Sequence, residues 1–345
     1  MFINGRFSET LSNLNQSDGK LEIEPLEQVM ARNHDLLNRY LTKYAPFEKD
    51  AFMALNTAFL RSGIFIRIPE FAVIENPIHI LNIAAFDGTV YQTHPRTLVT
   101  ASKGSQARIV ESYQHLSGGV YFNNAVTEIV LEDDAIVDHY KIQIESIEAF
   151  RINNTFVHLG RNSVYNSLSV DLGGRLVRNN IKVRLNDIHG ETNLYGFYLA
   201  DGKQHIDNHT LIDHAQPHCN SNELYKGMLS DKARAVFSGT ILVRQDAQKT
   251  NAFQSNKNLL LSEEAEVDSR PQLKIFADDV RCTHGATVGQ LNEEALFYLQ
   301  QRGIGKDQAQ IMLRFAFAKE IIEKIKPEGL REAIGQIVSE RLKKI

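Results

Sequence analysis

"IKVRLN", residues 181–186, sets Ile181, Val183 and Leu185 against Lys182, Arg184 and Asn186 in strict alternation. Successive side chains of an extended chain point to opposite faces, so three apolar groups go in and three polar groups stay out. The same texture runs outward in both directions. "ARIVESY", "TEIVLED", "DHYKIQIES", "NTFVHLG", "NSLSVDLGG", "LYGFYLA", "HTLIDHA", "SGTILVRQ" and "LKIFADD" follow one another between Gly, Asn and Asp punctuation. Hardly a helical stripe stands among them, so residues 78–288 are expected to be a run of short strands. Roughly 200 residues of such strands fit a sandwich, a propeller or a β-solenoid, and no strict repeat period decides between them. Asn-rich corners ("RINNTF", "RLVRNNIKV") and close strand spacing lean toward the solenoid. One segment, "SNELYKGMLSDKARA" at 221–235, interrupts the run and is expected as a short helix or long loop.

Both ends carry helical periodicity instead. In residues 1–77, Pro25–Tyr44 and Phe47–Arg61 place Leu26, Met30, Leu36, Leu37 and Leu41, then Phe52, Leu55 and Phe59, at helical spacing. Pro25 suits a first turn and Gly63 a C-terminal stop. Beyond it, "IFIRIPEFAVIENPIHIL" alternates and carries Pro69 and Pro77, so the chain becomes extended. In residues 289–345, Asn292 caps a helix with Glu293 and Glu294 in its first turn. Gly303 and Gly305 break it. Ile311, Phe315, Ala318, Ile322 and Ile325 then line one stripe, Pro327-Glu328-Gly329 ends it, and Leu330, Ile334, Ile337 and Val338 mark a third helix. Three short helices bury little apolar area alone, so these stripes need the strand region or a partner.

Composition narrows the function. The chain has 345 residues, 43% hydrophobic and 23% charged, with a net charge of -4. No basic field for nucleic acid is present, and no apolar run approaches the roughly 18–20 residues of a membrane span. The start, Met1-Phe2-Ile3-Asn4-Gly5-Arg6, lacks the pattern of a secretory signal. Two cysteines, Cys219 and Cys282, make no disulfide framework, and a reduced, cytoplasmic protein is expected.

Enzyme signatures are missing. There is no GxxxxGK[ST] loop, no GxGxxG after a strand, no GxSxG elbow and no HExxH; "RGIGK" at 302–306 has the wrong spacing for a phosphate loop. Two clusters remain. "HIDNHTLIDHAQPHC" holds His205, His209, His214, His218 and Cys219. On a strand His205 and His209 share a face but stand about 13 Å apart, so packed or solvated histidines are favoured over a metal site. The second is "DDVRCTHGATVG", 278–289. On a strand Val280, Cys282 and His284 point one way. Cys282 is most simply a core residue, whereas His284 needs a hydrogen-bond partner, a ligand or a protein surface against it.

Longer segments carry a resemblance. "FMALNTAFLRSGIFIRIP" (52–69), "DHAQPHCNSNELYKGMLSDKARAVFSGTILV" (213–243), "NKNLLLSEEAEVDSRPQLKIFADDVRCTHGATVGQL" (256–291) and "LFYLQQRGI" (296–304) make the chain, nearly end to end, similar to the SufB/SufD family of iron–sulfur cluster assembly proteins. The resemblance implies a right-handed parallel β-helix flanked by N-terminal and C-terminal α-helical regions. It also implies a non-catalytic scaffold subunit that pairs with SufB through the β-helix and carries the SufC ATPase on its C-terminal helices, around Ile311, Phe315 and Ile322. SufB-type chains carry a cysteine in the segment matching "SNKNLLLSEEAEVD", with Asn258 standing near that position here, and usually a glutamate after the histidine of "CTHGAT", where Gly285 stands. The resemblance is therefore to the SufD side. It gives His284 the role of holding a transient, nascent iron–sulfur cluster at the SufB interface, with Cys282 a weaker participant and no cofactor tightly bound to the isolated chain. A flavin in the complex is not legible in these residues. The exposed SufB-facing edge is compatible with a homodimer of the isolated chain. Two readings of other classes stand beside it: a β-helix enzyme acting on polysaccharide, and a self-contained metalloprotein using His214, His218 and Cys219.

Overall fold

The structure, a computed structural model, describes residues 1–14, 21–32, 39–48 and 50–345. From Gly63 to Gly289 the strands alternate between two walls, one strand to each wall per coil. The first wall consists of Ile78–Ala84, Gln106–His115, Ile136–Ile144, Val164–Asp171, Glu191–Ala200, Asn220–Leu229, Asn251–Leu260 and Arg281–Gly289. The second consists of Gly63–Ile68, Arg96–Ala101, Tyr121–Leu131, Phe150–Leu159, Leu176–Leu185, His205–His214, Arg234–Val243 and Glu266–Ile275. All neighbours within these sets are parallel, so the strand region is a parallel β-helix of about eight coils.

Register explains why no period was visible. Ile136 pairs with Val164, Val164 with Glu191, Glu191 with Asn220, Asn220 with Asn251, and Asn251 with Arg281, which are steps of 28, 27, 29, 31 and 30 residues. Insertions at the corners absorb the variation while the strands stay stacked. Ile66, Val99, Ile129, Val157, Val183, Ile212 and Ile241 form one in-register ladder inside the second wall, all fully or almost fully buried. Each such side chain contributes roughly 1.5–3 kcal/mol of burial, which is why one face of every strand had to be apolar. Within "IKVRLN", Ile181, Val183 and Leu185 are the buried residues, as their alternation requires.

Residues 221–235 correct the expectation of a helix or loop. They hold the strand Asn220–Leu229, a turn, and the start of Arg234–Val243. The alternation was hidden because the inward positions include Ser221, Glu223 and Gly227, matched by polar partners inside the coil.

Both N-terminal helices begin later than expected, and the second also ends earlier. Pro25 closes the strand Glu22–Pro25, which lies antiparallel to Gly63–Ile68, and α1 spans Leu26–Arg32. Leu36 and Leu37 lie outside the described residues. The second helix, α2, is Ala51–Ala58, capped by Asp50, whose carboxylate accepts from the Phe52 and Met53 amides. Its buried face is Met53 and Asn56, whereas Phe52 and Phe59 are exposed. The helix meets backbone carbonyls, so a donor is needed there: Asn56 donates to the carbonyls of Pro95 and Asn124 at 3.2 and 2.8 Å. Gly63 does not stop a helix; it opens a strand where an added Cβ would lie 2.1 Å from the Arg96 carbonyl oxygen.

At the other end α3 is Glu293–Gln301, with Asn292 capping it as expected (Ala295 amide to Oδ1, 2.9 Å). Helices α4 (Lys306–Ile322) and α5 (Glu328–Leu342) fold back on the outer face of the first wall. Ala318, Ile321, Ile322, Ile325, Ile334, Val338 and Leu342 pack there against Tyr140, Leu168, Val170, Phe197 and Met228. Polar ties flank the seam: Lys326 to Asp138 and Lys226 to Glu320, both at 2.7 Å. The apolar stripes of the C-terminal helices are thus satisfied largely within the chain.

Candidate functional site

The two ends of the β-helix differ. At the N-terminal end short antiparallel strands, Arg6–Phe7 and Glu22–Pro25, terminate both walls. At the C-terminal end Glu266–Ile275 and Arg281–Gly289 each pair on one side only, and among the described residues nothing pairs with their outer edges. An unpaired row of N–H and C=O groups is a template for another chain. Pro271, which has no amide hydrogen, sits in one of these edges, as proline in a sheet must.

The last strand carries the candidates of the second cluster on its inward side. Cys282 is in register with Ala252, His284 with Gln254, Ala286 with Asn256 and Val288 with Asn258. Cys282 is half-buried and packs beside Ile241, Val243, Ala252 and Ala277. Burial pushes its thiol above the ordinary range, partly offset by a backbone hydrogen bond from Ala252, so it is not an activated thiolate. His284 is exposed at the mouth of the coil.

One coil below lies a polar floor that sequence reasoning missed. Gln254 Nε2 donates to Glu223 Oε2 at 2.6 Å. Asn258 accepts from the Tyr198 hydroxyl and donates to Asn256 Oδ1 at 2.7 Å, which also accepts from Ser269 Oγ at 2.7 Å. Burial raises the Glu223 carboxyl to about 7, although the hydrogen bond from Gln254 pulls it back in part. The signal that could have found this floor is the polar residue at every second position of "SNELY" and "QSNKN", where the alternation puts 223, 254, 256 and 258 inside.

The His205–Cys219 cluster is dispersed. His214 faces inward in the ladder of Leu159, Leu185 and Val243, bonded to Ser221 Oγ at 2.9 Å, and burial lowers it to about 4. His209 faces outward to Asp207. His218 occupies a left-handed corner, φ 61°, stacked on His189. The Cys219 thiol is buried and donates to the Asp187 carbonyl, and burial pushes it up to about 11. Among the described residues no group of three or more His, Cys, Asp or Glu is arranged to hold a metal ion.

Of the helical candidates, Ile322 is buried against the first wall, and Phe315 and Ile311 are half-buried. The exposed apolar side chains nearby are Phe297 (62%), Tyr298 (57%) and Met312 (44%), on α3 and α4.

Comparison with known proteins places this architecture. Residues 84–317 match the model of the SUF system iron–sulfur cluster assembly SufBD core domain, and residues 1–80 that of the SufBD protein N-terminal region. The chain belongs to the SufBD family. Among SufBD relatives, an iron–sulfur cluster assembly SufBD family protein of Synechocystis is 36% identical over 347 residues, covering 98% of this chain and 76% of that protein. The iron–sulfur cluster assembly protein SufD of Escherichia coli is 32% identical over 297 residues, 86% of this chain and 70% of its own. A SufBD family protein of Mycobacterium leprae is 31% identical over 305 residues, 86% and 76% respectively. His284 and Cys282 lie two residues apart on the inward side of the last strand. Among the described residues no helix is long and apolar enough to cross a membrane.

Proposed function

We propose that this chain is a SufD-type scaffold subunit, cytoplasmic and non-catalytic by itself, in a SufB–SufC–SufD assembly that builds nascent iron–sulfur clusters. The observation that carries the reading is the open C-terminal end of the β-helix with His284 at its mouth. A SufB β-helix pairs with this end, and the unprotonated imidazole of His284 ligates iron across the junction. Asn258, near the position where SufB-type chains carry a cysteine, is locked by Tyr198 and Asn256 in the interior. This chain therefore offers no thiolate there, and the sulfur-accepting role falls to SufB. Cys282, half-buried with a raised thiol, is a secondary donor.

SufC docks on the C-terminal helices. Ile322 and Phe315 support that surface from beneath, Ile311 flanks it, and Phe297, Tyr298 and Met312 supply its exposed apolar groups, with ATP hydrolysis residing in SufC. The same open end supports homodimerisation of the isolated chain, to be read by light scattering with and without SufB. Membership of the SufBD family favours the scaffold over the polysaccharide enzyme and the self-contained metalloprotein.

The test is His284→Ala in the co-expressed complex. Cluster yield, read by visible absorbance and by iron and sulfide content, is expected to fall while the three subunits still co-purify. Unchanged yield would remove His284 from the mechanism.

A further inference from the structure

The inward column Glu223, Gln254, His284 runs through the last three coils of the first wall in register. Its middle member is held tightly. Gln254 is 3% exposed, and its Nε2 donates to Glu223 Oε2 at 2.6 Å. The carboxamide also occupies the space opposite Gly239, where an added Cβ would lie 2.2 Å from Nε2 and 2.9 Å from Cδ. Both contacts draw the amide nitrogen toward the coil below. Gln254 Oε1 is left buried and without a hydrogen-bond partner.

A buried acceptor without a donor costs roughly 1–3 kcal/mol, and water leaves this layer once a second chain covers the end. The residue stacked on Gln254 is His284, on a strand about 4.8 Å away, and its column neighbours to either side are Cys282 and Ala286. Of these three the imidazole is the strong donor. A histidine that binds metal through one ring nitrogen donates the other N–H to a carbonyl or carboxylate, which sets both tautomer and ring direction.

We propose that Gln254 is a positioning residue for His284. Its carboxamide oxygen accepts the ring N–H, and the other ring nitrogen is thereby presented, unprotonated, out of the open end. Glu223 and the missing side chain at Gly239 aim the carboxamide. The inference rests on the reading of His284 as a cluster ligand but is tested apart from it.

The experiment is two-bond ¹⁵N–¹H correlation of the His284 ring in the full-length chain labelled at histidine, with the end free and then covered by SufB. No iron is added, and His284→Ala supplies the assignment. The wild type is expected to show one dominant neutral tautomer with a slowly exchanging ring N–H when the end is covered. Gln254→Leu is expected to give mixed tautomers with fast exchange, and a cluster yield lower by roughly 10-fold. Mixed tautomers in the covered wild type, or an unchanged ring signal in Gln254→Leu, would overturn the proposal; the first needs no variant to fold. A single tautomer lost in Gln254→Leu, combined with normal cluster yield in His284→Ala, would confirm the hydrogen bond and sink the ligand role instead.

Discussion

Glu223→Gln separates the chemistry of the polar floor from its packing. The carboxyl of Glu223 is 1% exposed and is raised from an ordinary 4.5 to about 7, chiefly by burial. A carboxyl with a raised folded-state pKa binds its proton more tightly when folded. Its contribution is fully present below pH 4.5 and is lost as pH rises through about 7. At about 1.4 kcal/mol per pH unit, the whole interval amounts to about 3.5 kcal/mol, of which about 2.5 falls between pH 5 and pH 8.5. Glutamine keeps an acceptor for Gln254 Nε2 and has no charge to bury. In urea unfolding at the two pH values, Glu223→Gln is expected to gain roughly 2–3 kcal/mol on the wild type from pH 5 to pH 8.5. Parallel stability curves would refute the neutral-carboxyl account, and a gap opening toward acid would reverse its sign.

Further outcomes follow from contacts elsewhere in the chain. Lys141 Nζ bonds Glu111, Asn153 and Thr155 at 2.9–3.0 Å deep in the interior, so Lys141→Met is expected to cost about 3–5 kcal/mol, with Lys141→Met/Glu111→Leu recovering most of it in the same urea assay. Burial works against the Glu111 carboxylate, but Lys141 and His139 outweigh it and hold the group well below the usual range, so its stabilisation is present above about pH 4.5 and fades on acidification. Gly227→Ala would set a Cβ 2.1 Å from Tyr198 Cε2 and 2.5 Å from Asn258 Oδ1; a loss of about 1–3 kcal/mol by thermal melting is expected. Phe297→Ser with Tyr298→Ser, on side chains that touch solvent, is expected to leave the melting temperature within a degree or two while weakening SufC pulldown about tenfold or more.

The alternation around Ile181–Leu185 was enough to establish strands, their inward faces and the helical ends, because burial enforces a two-residue period on each strand separately. It could not choose a solenoid over a sandwich. That choice lies in which strands pair, and coils of 26 to 33 residues leave no fixed period to read. The C-terminal stripe of Ile322, Ile325 and Val338 announced a buried face, but only the folded chain shows that the first wall, rather than a partner, covers it. Cys282 and His284 were placed on one side of one strand by spacing alone. Only stacking could put Gln254 and Glu223 beneath them, 30 and 61 residues earlier in the chain, because register between coils is set by long-range pairing. The sequence by itself therefore determined what the strands with an apolar alternation hide, and not the polar interior of Asn220–Leu229 and Asn251–Leu260. The tertiary structure decided that, among the described residues, nothing pairs with the outer edge of the last strand, and that open edge is the ground on which His284 is proposed as a site.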